Sequence, residues 1–254
     1  MLTTTIVLQG PSGAGKTDKV CTLGCYGSYV GWVDADGKAL ETIKAFTNRT
    51  KKSVKAKIKY PNLDANKQPI EAGSPKAWFR VKEIVRDFCL DPSVGWIALD
   101  SMNFLQEINK DCLVASGGVN NSGRKAMAQA LWDFLRADFL RLIIEIKASG
   151  KGLVMIAHDK VAVDEATGKK IIVPDLQAGL KNLIPQQTTE YWHCFTKMDP
   201  TTKKVKYMVR TKPDNFGDWK TNLNVPEDWE FNVPEFEQAL EEYNKIELTD
   251  VEVG

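Results

Sequence analysis

Residues Gly10-Pro11-Ser12-Gly13-Ala14-Gly15-Lys16-Thr17 fit the pattern G-x-x-x-x-G-K-[ST] at every defined position. A phosphate cradle requires this spacing. Successive backbone N–H groups wrap the anion, the glycines reach dihedrals that other residues avoid, and a following helix points its positive end at the charge. Lys16 is then placed for the β- and γ-phosphates and Thr17 for Mg²⁺. The apolar run Ile6-Val7-Leu8 predicts a strand before the loop, and Lys16 to about Gly24 predicts the helix after it. Strand before and helix after together predict binding of a nucleoside triphosphate. Three further polar residues stand where apolar runs end: Asp36, Asp100 and His158. A carboxylate there can position a water or serve a metal, and an imidazole can hydrogen-bond a phosphate.

The elements that must position these groups read as alternating strands and helices. Strands are expected at Tyr29–Asp34, Gly95–Asp100 and Gly152–His158, with helices over 38–47, from Pro75 to before the loop at Asp91-Pro92, over 102–115 and over about 125–149. Ser74-Pro75 caps the second of these, with Trp78, Val81, Ile84, Val85 and Phe88 on its inner face. The last is expected to turn Leu131, Phe134, Leu135, Phe139, Leu142 and Ile146 inward. Ser53–Tyr60 alternates apolar and lysine residues, which predicts a half-buried edge strand whose lysines protect the edge or track a nucleic acid. A hairpin is expected from Lys160 to Val173, then strands at Glu190–Met198 and Lys203–Lys212 and a helix over 234–245. This order predicts a mostly parallel sheet with helices on both faces, whose ligands gather at the carboxyl ends of the strands.

With 254 residues, 43% hydrophobic and 26% charged, the chain suits one large α/β domain. The five cysteines lie in apolar segments without zinc-type spacing, and Cys21 and Cys25 fit a buried helix face. No charged-then-apolar leader and no apolar run of membrane-spanning length is seen, so a reducing, cytoplasmic setting is expected. The net charge of +1 hides an asymmetry. From Glu227 onward ten acidic residues face one lysine, −9, while residues 1–226 carry 33 basic against 23 acidic, +10. We therefore expect a core over 1–226 and an acidic helix and tail over 227–254, the tail either solubilising, competing with a polyanion for the basic body, or docking a partner.

The strand-end signals, in this order, resemble the RecA-like ATPase core. Trp32-Val33-Asp34-Ala35-Asp36 is similar to that family's strand ending in Asp-Ala-Glu, and the resemblance puts Asp36 where the Glu orients the attacking water. Asp36 has the shorter side chain, and Asp34 and Glu41 stay open as alternatives. Leu99-Asp100-Ser101 resembles the family's Walker B Val-Asp-Ser, whose Asp meets the Mg²⁺ shell through water. His158 in Ile156-Ala157-His158 stands for the Gln of an Asn-Gln pair that senses the γ-phosphate and couples it to a DNA-binding loop. Tyr207-Met208-Val209-Arg210-Thr211-Lys212-Pro213 resembles the strand whose two cations reach the ATP of a neighbouring subunit, which implies that role for Arg210 and Lys212.

The resemblance covers about residues 3–213 and is nearest the short phage-type recombinases and single-strand annealing ATPases. It implies an α/β RecA-like core with antiparallel strands near its C-terminal edge, ATP and Mg²⁺ as cofactors, and self-assembly into a ring or filament on single-stranded DNA. It also implies two DNA-binding loops, over 116–125 and 159–175, with Arg124, Lys125, Lys160, Lys169 and Lys170 as phosphate contacts. A single-strand-binding protein or another replication or recombination protein would meet the acidic tail, in the host cytoplasm if the chain is phage-encoded. A small-molecule P-loop kinase and a helicase-like DNA motor remain as alternatives.

Overall fold

Short apolar runs bounded by glycine, proline or acid form the sheet, because a strand buried on both faces needs apolar side chains at every position. In the computed structural model, which describes residues 4–117, 129–165 and 167–245, the strands are β1 (Thr5–Gly10), β2 (Tyr29–Asp34), β3 (Ala56–Lys59), β4 (Val94–Asp100), β5 (Gly152–Val163), β6 (Lys170–Pro174), β7 (Glu190–Met198), β8 (Val205–Arg210) and β9 (Asp228–Trp229). Their order is β3-β2-β4-β5-β1-β7-β8-β9, with β6 paired to β5. The ladders from β3 across to β7 are parallel, and β7–β8, β8–β9 and β5–β6 are antiparallel. The expected α/β architecture, mostly parallel with antiparallel strands toward one edge, is the one observed.

Alternation along each strand sends side chains to two cores. Val7 of β1, Ile97 and Leu99 of β4, and Leu153 and Met155 of β5 face one core. That core is covered by α3 (Lys76–Leu90), α4 (Met102–Ala115), α5 (Gln129–Ala148) and α6 (Ala178–Gln186). Ile6 and Leu8, Ala98, and Val154 and Ile156 face the other core, beneath α1 (Lys16–Gly24), α2 (Ala39–Thr50) and α7 (Val233–Asn244). The five residues expected on the inner face of α3 are all buried.

Three expectations are corrected. Phe134 is 60% exposed. Successive helical residues turn by about 100°, so Phe134 falls well off the stripe formed by Leu135, Phe139, Leu142 and Ile146. The lysine-alternating strand is confined to Ala56–Lys59, the residues that find partners in β2. Its two lysines have local partners, Lys57 Nζ lying 2.5 Å from Asp91 and Lys59 Nζ 2.6 Å from Asp87, and β3 is an edge strand of the sheet. Finally, β8 ends at Arg210 rather than Lys212. Thr211 turns its N–H to Glu227 O and its hydroxyl to Pro226 O, and Pro213 has no N–H to continue a ladder.

The acidic C-terminal stretch is built into the second core. Trp229, Phe231, Val233, Phe236 and Ala239 are buried there, and Phe236 sits 6.0 Å from both Trp96 and Trp192, centroid to centroid. Asn232 caps α7 by accepting the Glu235 N–H at 3.0 Å, and Pro234 occupies its first turn. Removing that ring would leave a cavity under the sheet. Phe236→Ala is expected to cost about 3–5 kcal/mol, read from chemical denaturation; an unchanged midpoint would mean that α7 does not contribute to the core.

Candidate nucleotide-binding site

Ladder register assembles the site. Gly10, which opens the phosphate loop, pairs with His158 of β5, and Asp34 pairs with Asp100 of β4. Because Leu99 pairs with Met155, the Asp34–Asp100 pair stands two residues short of the Gly10–His158 pair, and both lie toward the carboxyl ends of neighbouring parallel strands. Above them is a cleft of about 270 Å³ lined by loop residues Ser12 to Thr17 together with Asp36, Asp100 and His158.

The loop reaches its shape through two left-handed glycines, Gly13 (φ 78°) and Gly15 (φ 76°), the latter directly before α1. Lys16 is buried, and its ammonium donates to Gly10 O at 2.7 Å and Pro11 O at 2.8 Å. Burial lowers its pKa, opposed by the carboxylates of Asp159, Asp100 and Asp36. Gly10 itself cannot carry a side chain, because a Cβ would lie 2.4 Å from Cys194 O on β7.

The carboxylates sort by environment. Asp34 is fully buried and accepts the N–H groups of Gly37 (2.9 Å), Lys38 (3.2 Å) and Ala39 (2.9 Å), so it fastens the turn into α2. Burial raises its pKa to about 6. Glu41 is exposed and does not line the cleft. Asp36 does line it, with its side chain 12% exposed and Lys38 Nζ at 3.5 Å. Asp100 is buried, accepts from Trp32 Nε1 at 3.2 Å, and has its pKa pushed up to about 7 by burial and by the nearby charges of Asp36 and Asp34. That concentration of negative charge, at a cleft that Thr17 also lines, suits a hard cation. Mg²⁺ is bound through one or two protein oxygens plus substrate phosphates. Among the described residues no cluster of three His, Cys, Asp or Glu could hold a metal alone.

His158 is positioned through its backbone. Its N–H donates to Asn103 Oδ1 at 2.9 Å, while Asn103 Nδ2 donates to Asp175 O at 2.5 Å. Asn103 thus ties the start of α4, just after Asp100, to both ends of the hairpin. Burial and the Lys16 charge lower the imidazole pKa, which favours its neutral form.

Other expected site residues lie elsewhere. Arg210 donates to Asp228 through Nε (2.8 Å) and Nη2 (3.2 Å) and to Asp214 through Nη1 (2.6 Å), while Lys212 is exposed beyond the strand. Neither lines the cleft. Lys160 pairs with Asp175 at 2.9 Å, and Lys169 and Lys170 are exposed on the hairpin formed by β5 and β6. Arg124 and Lys125 fall outside the described residues. Lys38, Thr42, Arg49, Asp18 and Tyr207 also line the cleft. Lys38 and Thr42 follow Asp36 closely enough in sequence to have been suspected, and Asp18 adjoins Thr17. Arg49 arrives by tertiary packing without a local motif, and Tyr207 opens the stretch that carries Arg210 and Lys212 but has no role of its own in that motif.

The AAA domain family matches residues 3–221 of this chain. No curated protein matches it. Among solved structures, a KaiC-like protein from Pyrococcus horikoshii is 13% identical, with 82% of this chain and 78% of that chain covered at a TM-score of 0.41. The flagellar accessory protein FlaH from Methanocaldococcus jannaschii is 12% identical, with coverage of 89% and 83% and a TM-score of 0.44.

The charge crowding at Asp100 has a thermodynamic consequence. An aspartate whose pKa rises on folding opposes folding when ionised, an effect absent below its unfolded value of 3.8 and complete above about 7. Asp100→Asn should therefore stabilise the nucleotide-free protein at pH 8 by about 2–4 kcal/mol, at about 1.4 kcal/mol per tenfold in protonation. Denaturant titrations should show the gain vanish toward pH 4; an equal gain at both pH values would exclude charge as its cause.

Proposed function

The chain belongs to the AAA domain family and has a P-loop ATPase architecture, and from that premise we propose that it is an ATP-dependent, single-stranded-DNA-binding ATPase of the recombinase or annealing kind. One observation carries the DNA half of this reading. β5 runs without interruption from His158, in the cleft, to Val163, and its outer half pairs with β6 as a projecting hairpin bearing Lys160, Lys169 and Lys170. A group facing the γ-phosphate and a cationic hairpin thus share one strand. Cations on such a hairpin suit tracking of a phosphate backbone.

In this reading the loop N–H groups and Lys16 hold the triphosphate, and the Thr17 hydroxyl and Asp100 hold Mg²⁺. Bound Mg²⁺ would neutralise charge on the β- and γ-phosphates. Asp36 orients the attacking water and accepts its proton. His158, in its neutral form, donates to or accepts from the γ-phosphate region, and Asn103 transmits its position to the hairpin. Arg210 and Lys212 act on the nucleotide of a neighbouring subunit in a ring or filament. For Arg210 this requires exchange of its Asp214 and Asp228 partners for phosphate, which links hydrolysis to assembly. The acidic C-terminal residues would meet a replication or recombination protein.

Hydrolysis should rise at least severalfold when single-stranded DNA is added at low salt, and Lys16→Ala should abolish it. If DNA neither binds nor stimulates, the recombinase reading is wrong; phosphoryl transfer to a nucleoside would identify a kinase, and unwinding a motor. Subunit sharing is tested by mixing. Lys16→Ala and Arg210→Ala proteins, each inactive alone, should recover part of the turnover together, since each lacks a different wall of the site. No recovery would refute a site completed by a neighbour.

A further inference from the structure

The phosphate cleft adjoins a second, larger one. The two share Asp18, Arg49 and Tyr207, and the second, of about 810 Å³, continues over Tyr26, Phe46, Trp229 and Phe231. Asp36, Asp100 and His158 line only the first. These are the groups suited to the reacting phosphate, so that end of the first cleft is the γ end. The remainder of a nucleotide would then leave past the lining that the two clefts share, Asp18, Arg49 and Tyr207.

We propose that the second cleft takes the nucleobase, a purine, which stacks on a slab built from the Tyr207 ring and the Arg49 guanidinium. The proposal rests on the nucleotide-binding reading of the phosphate loop and adds where the base goes and what holds it. Tyr207 is packed on the loop itself: a Cβ on Gly15 would lie 2.6 Å from a ring carbon. Its strand is fastened to the helix after the loop, because buried Lys19 donates to Tyr207 O at 2.5 Å. Arg49, from the end of α2, lies 5.4 Å from the centroid of that ring and 5.8 Å from that of Phe46. Asp18 holds its guanidinium at 2.7 Å.

A ring and a planar cation fixed beside the exit of a phosphate cradle form a preorganised platform for a flat aromatic group. Preorganisation matters because neither side chain must be ordered when the ligand arrives. The cleft is within the size range of pockets that enclose a small organic ligand. A purine offers the larger face to such a slab. One wall of this cleft, Trp229 to Glu235, comes from the C-terminal acidic stretch, which is thereby part of the nucleotide site.

The test separates base from phosphate. Calorimetric titration of the full chain with Mg²⁺–ATP and with Mg²⁺–tripolyphosphate is compared for wild type, Tyr207→Leu, which keeps bulk against Gly15, and Arg49→Gln. Stacking on one aromatic side chain is worth about tenfold to a hundredfold in affinity. Tyr207→Leu should lose that much for ATP and nothing for tripolyphosphate, and Arg49→Gln should lose less, again for ATP alone. Unchanged ATP affinity in Tyr207→Leu, or equal losses for both ligands, would overturn the proposal, the second outcome making Tyr207 a support for the loop only. Failure of wild type to bind either ligand would refute the nucleotide reading itself, and this proposal with it.

Discussion

The site depends on one constraint, the parallel register of β2, β4, β5 and β1. Because Gly10 stands beside His158 and Asp34 beside Asp100, with the two pairs two residues apart along the strands, four chain segments far apart in sequence deliver polar groups to the same end of the sheet. Nothing local to any of them sets that placement. It follows from hydrophobic alternation, since a slip of one residue would turn Ile6, Leu8, Val154 and Ile156 from one core toward the other. The chemistry is therefore as precise as the packing of side chains that take no part in it.

The site is also where the fold departs from what packing alone would choose. A lysine and two aspartates are buried at the centre of the sheet, and the pKa shifts of all three run in the direction that disfavours their charges. Asp34 recovers part of this through three backbone donors. Lys16 recovers part through two carbonyls. Asp100 accepts, among the described residues, from the Trp32 indole and stays crowded by negative charge. A cation and a triphosphate would balance these charges, so substrate binding and relief of electrostatic crowding are one event.

Much of this was legible in sequence. The phosphate loop has a fixed spacing because its backbone geometry does, and runs such as Thr5–Gly10 and Glu190–Met198 are bounded by residues that end strands. The inner face of α3 followed from helical period alone. Failures occurred where a local pattern had no tertiary partner. Alternation continued through Ser53–Tyr60, but only Ala56–Lys59 met β2. Phe134 is apolar but lies about 100° round the helix from Leu135, well off the stripe. The pairing of Arg210 and Lys212 on one face presumed a strand that Thr211 and Pro213 end. The roles of Tyr207 and Arg49 were invisible for the converse reason: their placement is tertiary throughout.

β8 joins these observations. Val209 lies in the core beneath α1 and α7, and Tyr207, two residues away, shares that face and meets the phosphate loop. Arg210 is on the opposite face, over the Phe195 ring at 5.4 Å and fastened to Asp214 and Asp228. Asp228 belongs to β9, whose neighbour Trp229 packs on Trp192 and lines the larger cleft. A change in the Arg210 ion pairs would therefore act on the strand that carries Tyr207 and on the segment that walls the same cleft. Under the proposed sharing of sites between subunits, two sides of one short strand would connect how a nucleotide is held to where Arg210 is free to reach.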